Sequence, residues 1–185
     1  MRYIEVLTLR QAVRKYPERV FRVTRDDPRL PATVLRWVVE SVLHSAEREG
    51  VRRVTVVVDS AYSFSVEDDG RGMDKDLVSV LTAGFCGHPR GVLDVVTAIC
   101  DEARADVWRD DRHWRQTVGW DPPWPAIEDR GTTTRHGTRL WFHLNPDWLG
   151  GTVLPADIGD VLGGVLDDPS APAEVALLLR DLRAA

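Results

Sequence analysis

Residues 66–73 read Val-Glu-Asp-Asp-Gly-Arg-Gly-Met and directly follow a strand pattern, so the interpretation of the chain depends on them. A carboxylate at a strand end, here Asp68, can accept a hydrogen bond from a buried amino group. Gly70 and Gly72 lack a Cβ, which lets a flat ring approach the main chain closely. Asp-Asp-Gly is also common turn chemistry. The motif thus predicts either a polar turn or a pocket for a planar, amine-bearing ligand such as adenine.

The segments before this motif predict a long helix and then a β-hairpin. Pro31 suits the first turn of a helix, and Gly50 suits its end. Apolar residues recur between them at the 3.6-residue spacing of one buried face. These residues are Leu35, Val38, Val39, Val42, Leu43 and Ala46. Two strand patterns at residues 53–59 and 62–67 follow, with a short connection that predicts a hairpin.

The remaining patterns complete a set of mostly neighbouring strands interrupted by helices. We predict a loop at 18–29, helices at 8–16, 74–83, 92–102 and 156–166, and strands at 105–108, 114–118, 138–144 and 174–180. A turn at 109–112 would pair the strands at 105–108 and 114–118. This order favours an α+β fold, a two-layer sandwich with helices on one face of a mixed, mostly antiparallel sheet. We expect residues 1–185 to form a single domain.

The composition is typical of a soluble cytoplasmic protein. Apolar residues make up 43% of the chain and charged residues 29%. No apolar run approaches the ~20 residues needed to span a bilayer, and the N-terminus lacks the pattern of a signal peptide. A net charge of −5 argues against a general nucleic-acid surface. We therefore expect neither membrane nor direct nucleic-acid binding.

A glycine-rich loop at residues 84–91 runs into the predicted helix at 92–102. Free main-chain N–H groups at such a helix start form a plausible anion site, with Gly87 and Gly91 as candidates. A simple connecting loop with turn glycines explains the same pattern. The loop alone does not decide between the two.

Several separated stretches follow the order of a known family. They are residues 4–7, 12–17, 66–73, 95–99, 114–116, 137–138 and 145–147. With them the chain resembles the GHKL (Bergerat-fold) ATPase superfamily, and most closely the N-terminal ATP-binding domain of the gyrase B proteins. The resemblance implies the Bergerat ATP-binding fold, with ATP or ADP as the ligand.

The resemblance also implies roles for individual residues. Asp68 would accept the adenine amino group, and Thr138 would support that carboxylate. Arg71 would lie along the adenine edge, and Arg115 would lie at the pocket mouth. The complete implied nucleotide-binding set is Asp68, Gly70, Arg71, Gly72, Met73, Arg115 and Thr138, with Gly87 and Gly91 in the loop that would cover the phosphates.

The helix before the hairpin departs from the family pattern. The family has a glutamate that polarises water and, four residues later on the same helix face, an asparagine that binds magnesium. The gap-free register from Asp68 places Trp37 at the glutamate position and Ser41 at the asparagine position. His44 then replaces a further acidic residue. A register shifted by three instead offers Glu40 as the base and His44 as a metal ligand.

We favour the first register because the second turns Ser41 and Ser45 toward the core, where polar groups without partners are costly. Tryptophan cannot accept a proton from water, so Trp37 predicts lost or very slow hydrolysis. Serine is a weak magnesium ligand, and Ser41 is therefore only a weak metal candidate. The sequence therefore predicts neither the presence nor the absence of bound Mg²⁺.

Three functions remain open from the sequence. The first is a pseudo-ATPase that binds an adenine nucleotide and acts through an unidentified protein partner. The second is a slow ATPase or kinase that uses Glu40 and His44. The third is a nucleotide-free scaffold or a decoy for gyrase inhibitors, which would bind near Asp68 and Arg115. The transducer and DNA-cleavage domains of gyrase have no counterpart in these 185 residues, so the chain by itself is not expected to be a topoisomerase.

Overall fold

The computed structural model describes residues 6–73, 91–166, 172 and 174–183. The helices are α1 (Leu9–Lys15), α2 (Glu18–Phe21), α3 (Leu30–His44), α4 (Ala46–Glu49), α5 (Gly91–Thr97), α6 (Pro146–Leu149) and α7 (Ile158–Leu166). The strands are β1 (Arg53–Val58), β2 (Ser63–Asp68), β3 (Cys100–Arg109), β4 (Arg112–Gly119), β5 (Glu128–Thr132), β6 (Gly137–Leu144) and β7 (Ala176–Asp181). The predicted helix at 74–83 lies outside the described residues.

All seven strands form one sheet with the order β5-β4-β3-β6-β2-β1-β7. Every neighbouring pair is antiparallel except β1 and β7, which run parallel. The helices α3, α5 and α7 pack together, and α3 and α5 also contact the sheet. The predicted α+β sandwich with a mixed, mostly antiparallel sheet is confirmed.

Helix α3 supplies much of the core between the two layers. Pro31 lies in its first turn, as the sequence predicts, and Val34, Leu35, Val38 and Val39 are fully buried. The chain bends at Ser45 and continues as the short α4, which ends at a left-handed glycine at position 50. This end brings the chain back to the sheet at the start of β1.

Some predicted elements have different bounds or were missed. The helix predicted at 92–102 ends at Thr97, because the chain from Cys100 onward pairs with β6 as strand β3. The segment 18–29 is not entirely a loop, since α2 occupies its start. Strand β5 and helix α6 had no clear sequence signal. Strand pairing overrides local propensity at β5 and at the start of β3.

Among the described residues, no helix has the length and apolar content required to cross a membrane.

Candidate functional site

Asp68 and Thr138 lie side by side on the helix-covered face of the sheet. Asp68 is the last residue of β2, and the strand register pairs it with Thr138 of β6. The face is fixed by the two-residue period of a strand, since Phe64 and Val66 point into the core. Asp68 is 6% exposed and Thr138 is 2% exposed. The fold therefore holds a carboxylate and a hydroxyl together in a nearly dry environment.

Main-chain N–H groups from the following loop donate to both side chains. Gly70 N donates to Oδ1 of Asp68 at 3.0 Å, and Met73 N donates to Oγ1 of Thr138 at 3.2 Å. The Arg109 guanidinium donates to the carbonyl of Gly72 at 3.1 Å. Contacts with Thr138 of β6 and Arg109 of β3 therefore hold the loop from Asp68 to Met73 in place.

Two glycines allow the close approaches in this loop. Gly72 has φ +80°, and a Cβ there would lie 2.4 Å from the carbonyl oxygen of Trp108. Gly137 has φ +111°, and a Cβ there would lie 2.1 Å from the carbonyl oxygen of Asp68. An L side chain at either position would be strained and would collide with main chain. The protein's own backbone, rather than a ligand, occupies the space beside both residues.

Gly70 and Arg71 pack against the end of α4. A Cβ on Gly70 would lie 2.8 Å from Cγ2 of Val51 and 2.9 Å from the carbonyl oxygen of Glu49. Arg71 N donates to that same carbonyl at 3.0 Å, and its guanidinium donates to the carbonyl of Arg48 at 2.8 Å. The sequence explained Gly70 by ring approach, whereas the structure explains it by internal packing. Arg71 is bound to α4, and its expected place along an adenine edge stays a prediction.

Arg115 lies on the opposite face of the sheet from Asp68. The register pairs Arg115 with Asp106, while the neighbouring Val107 points into the core. Arg115 donates two hydrogen bonds to Asp106, at 2.8 and 3.1 Å, and Nε2 of His113 lies 2.6 Å from the same carboxylate. The structure does not bring Arg115 close to Asp68, because strand alternation places the Arg115 side chain on the other face of the sheet.

The environment of Asp106 favours its ionised form. Burial of the side chain acts to raise its pKa, but the hydrogen bonds from Arg115 and His113 outweigh burial and lower the pKa below its usual value. The same bonds raise the pKa of Arg115. The role of Arg115 in this structure is to neutralise a buried carboxylate.

Trp37 and Ser41 are the α3 residues that the favoured register would assign to hydrolysis. Trp37 is partly buried and packs against Phe21, with ring centroids 5.4 Å apart. Ser41 and Ser45 are both buried, and the Ser45 hydroxyl lies 3.3 Å from the Ser41 carbonyl and 3.1 Å from the Val42 carbonyl. The sequence argument that these serines avoid the core is wrong, because both are buried, and carbonyls of α3 accept from the Ser45 hydroxyl. The register itself stays a prediction.

Glu40 and His44 lie toward the surface of α3. Glu40 forms an ion pair with Arg36 at 2.6 Å, one helical turn away, and its side chain is 36% exposed. His44 is exposed. An i,i+4 pair of this kind is common on solvated helices and contributes little to stability. Nothing in this arrangement favours Glu40 as a catalytic base.

The structure describes only some of the residues that were predicted to bind phosphate or metal. Gly87 lies outside the described residues, and Gly91 begins α5. Within the described ranges, no group of three His, Cys, Asp or Glu side chains is arranged to hold a metal ion. Ser41 contributes a buried hydroxyl on α3.

Sequence reasoning missed the polar arrangement on the open face of the sheet. The predicted turn at 109–112 would place residue 106 opposite residue 115 in an antiparallel hairpin, and that register is observed. The signal for the Asp106–Arg115 pair was therefore present, but the family resemblance assigned Arg115 to a ligand.

No model of a known protein family matches this chain.

Proposed function

We propose that the protein is an adenine-nucleotide-binding module with lost or very weak hydrolysis, which acts by binding a protein partner. One observation carries the proposal: a buried carboxylate, Asp68, lies beside the buried hydroxyl of Thr138 at the end of a strand. This pair adjoins the loop whose sequence resembles the adenine motif of the GHKL ATPases.

The chemistry of this pair suits an adenine amino group. A buried carboxylate accepts hydrogen bonds strongly, because few water molecules compete for it. The hydroxyl of Thr138 both donates and accepts, so it can serve a ring nitrogen or a bridging water. The loop between Asp68 and Met73 is held by main-chain contacts, which keeps the acceptor in place before a ligand arrives.

Binding without hydrolysis follows from α3. An indole at position 37 has no basic group to activate water, and Trp37 instead packs on Phe21. The serine at position 41 is a weak ligand for magnesium. The nucleotide would therefore act as a structural or regulatory ligand, and a partner would detect whether the site is filled.

Calorimetric titration with ATP and with ADP, each with and without Mg²⁺, tests the proposal. We expect saturable binding that depends little on Mg²⁺, together with undetectable phosphate release from ATP. Asp68→Asn should weaken binding about tenfold or more, because the amide presents a donor where the carboxylate accepts. An absence of binding by the unaltered protein would overturn the proposal.

Glu67→Gln is the matched control. It removes one carboxylate from the adjacent residue, whose side chain lies on the other face of the sheet and pairs with Arg135 and Arg139. We expect its affinity for ADP to equal that of the unaltered protein. Equal weakening by both substitutions would indicate a general charge effect and would contradict a specific role for Asp68.

A further inference from the structure

A concave site lies on the open face of the sheet and extends to the loop that begins at Asp68. A cavity of about 500 Å³ is present where β6, β2, β1 and β7 run side by side. Its wall includes the side chains of Arg53, Arg135, Arg139, Arg180, Val57 and Leu178. Cavities of this size hold small organic molecules in many proteins.

The strand register builds the floor of this cavity. Arg139 on β6, Glu67 on β2, Thr55 on β1 and Leu178 on β7 form one row across the four strands. Arg180 continues along the edge strand and is paired with Val57. The floor therefore changes from charged at its β6 side to apolar near Leu178.

Cations dominate the wall although the whole chain has a net charge of −5. One carboxylate, Glu67, is shared by Arg135 at 2.6 Å and Arg139 at 3.2 Å. Arg53 approaches Asp69 only to 3.9 Å. Within the described part of the chain, Arg180 has no ion pair. The lining also contains three acidic residues, but Asp68 turns its carboxylate to the helix-covered face, so four arginines face the two carboxylates of Glu67 and Asp69.

One of these arginines is also incompletely hydrogen-bonded. The Nε of Arg139 is buried and makes no hydrogen bond within the described ranges, although it lies 3.2 Å from Glu67. The Glu67 carboxylate at 3.2 Å compensates part of the cost of burying this N–H. The Arg139 side chain as a whole is 43% exposed, so an oxyanion can reach its guanidinium.

We propose that this cavity binds a small organic oxyanion, a phosphate monoester or a carboxylate, whose apolar part lies against Leu178 and Val57. The planar guanidinium donates two parallel hydrogen bonds that match the oxygens of either group. Leu178 is 42% exposed, so an apolar group placed on it removes surface from water. Asp68 also borders the cavity, but strand alternation directs its side chain to the helix-covered face, so the site rests on the arginines and not on the proposed nucleotide function.

Nuclear magnetic resonance titration of the ¹⁵N-labelled protein with phenyl phosphate tests the proposal. We expect saturable shifts of the amides of Thr55, Val57 and Leu178. Benzoate and inorganic phosphate distinguish the carboxylate from the phosphate and the organic ligand from the free ion. Tighter binding of phenyl phosphate or benzoate than of inorganic phosphate supports the proposal. Binding of inorganic phosphate alone, or of no probe, overturns it.

A pair of arginine substitutions supplies the control. Arg180→Gln removes a cation from the cavity at an exposed position, whereas Arg130→Gln removes the same charge from the opposite edge strand. We expect Arg180→Gln to weaken binding of phenyl phosphate by about fivefold or more and Arg130→Gln to leave it unchanged. Equal effects of the two substitutions would show nonspecific attraction and overturn the site.

The same variants separate this proposal from the nucleotide proposal. Asp68→Asn should weaken ADP binding about tenfold or more and preserve the phenyl phosphate shifts at Thr55 and Leu178. Loss of ADP binding in Arg180→Gln with retention in Asp68→Asn would place the nucleotide in the cavity instead, which would support an oxyanion site there and refute the proposed function.

Discussion

Asp68 and Asp106 are two aspartates buried to a nearly equal degree in the same sheet, and their carboxylates have different hydrogen-bond partners. Asp68 is 6% exposed and Asp106 is 5% exposed, on opposite faces. Asp106 is held by Arg115 and His113, two side chains that can carry positive charge. The hydrogen bond described for the Asp68 carboxylate comes from a neutral main-chain N–H, that of Gly70.

The contacts described for the two carboxylates therefore differ: ion pairs at Asp106 and a main-chain N–H at Asp68. Burying a charge is costly unless opposite charges or several hydrogen bonds compensate for it. Arg115 and His113 compensate at Asp106 within the protein. Asp68 instead lies at a strand end beside a loop, with Thr138 as a neutral neighbour. We infer that the loop geometry holds Asp68 and that charge pairing holds Asp106.

Gly137→Ala should have the largest effect on this comparison, because it breaks the loop geometry directly. Its Cβ would lie 2.1 Å from the Asp68 carbonyl at a φ of +111°. We expect a loss of roughly 4 kcal/mol in the free energy of unfolding, or failure to fold. Denaturant unfolding followed by circular dichroism measures the effect.

Gly131→Ala is the matched control for that substitution. Gly131 also has a positive φ, +94°, but a Cβ there would meet nothing within 4 Å. The left-handed conformation alone should cost about 1–2 kcal/mol. Equal losses in the two variants would mean that the close approach of β6 to Asp68 contributes nothing.

The second prediction compares the two aspartates directly. Asp106→Asn should lower the free energy of unfolding by about 2–3 kcal/mol, because it leaves Arg115 facing a neutral amide in a mostly buried position. Asp68→Asn should cost about 1 kcal/mol or less, since the amide oxygen can still accept from Gly70. Conversely, only Asp68→Asn should reduce nucleotide affinity.

Asp129→Asn controls for loss of an aspartate charge from the same sheet. Asp129 pairs with Arg112 at a half-exposed position on β5. Surface pairs contribute little, so we expect no measurable change in stability. If Asp68→Asn proves as destabilising as Asp106→Asn, the distinction between the two carboxylates fails.

The comparison also shows what sequence could and could not predict. The hairpin of β1 and β2 and the buried face of α3 are encoded in local patterns, and these elements were predicted correctly. The ligand role of the Asp68 motif stays a prediction. Asp106 drew no attention, because a lone acidic residue in a strand becomes meaningful only when its partners across the sheet are known. The predicted turn at 109–112 nevertheless implies that residue 106 lies opposite residue 115, as observed.

The glycines show a second limit of prediction. Spacing alone cannot say whether a missing Cβ makes room for a ligand or for the chain itself. Gly70 meets Val51 and Gly72 meets the carbonyl of Trp108, and both contacts depend on how α4 and β3 pack. Likewise, the burial of Ser41 and Ser45 could not be excluded from polarity, because main-chain carbonyls of α3 lie within hydrogen-bonding reach of Ser45.

The smallest expected effect is the pH dependence of the stability difference between the unaltered protein and Asp106→Asn. The pKa of Asp106 is lower in the folded protein than in the unfolded chain. Its stabilising contribution is therefore complete above the unfolded pKa of about 4 and is lost as the pH falls through the folded pKa. The stability gap between the unaltered protein and Asp106→Asn should narrow on acidification from about pH 5.

Other acidic residues do not obscure this gap. Hydrogen bonds from Arg183 lower the pKa of Asp181 to about 2, and that group titrates in both proteins alike. Its contribution cancels when unfolding curves of the two proteins are subtracted at each pH. A gap that stays constant down to about pH 2.5 would mean that Asp106 acts through shape and hydrogen bonding, not through its charge. The contrast with Asp68 would then rest on geometry alone.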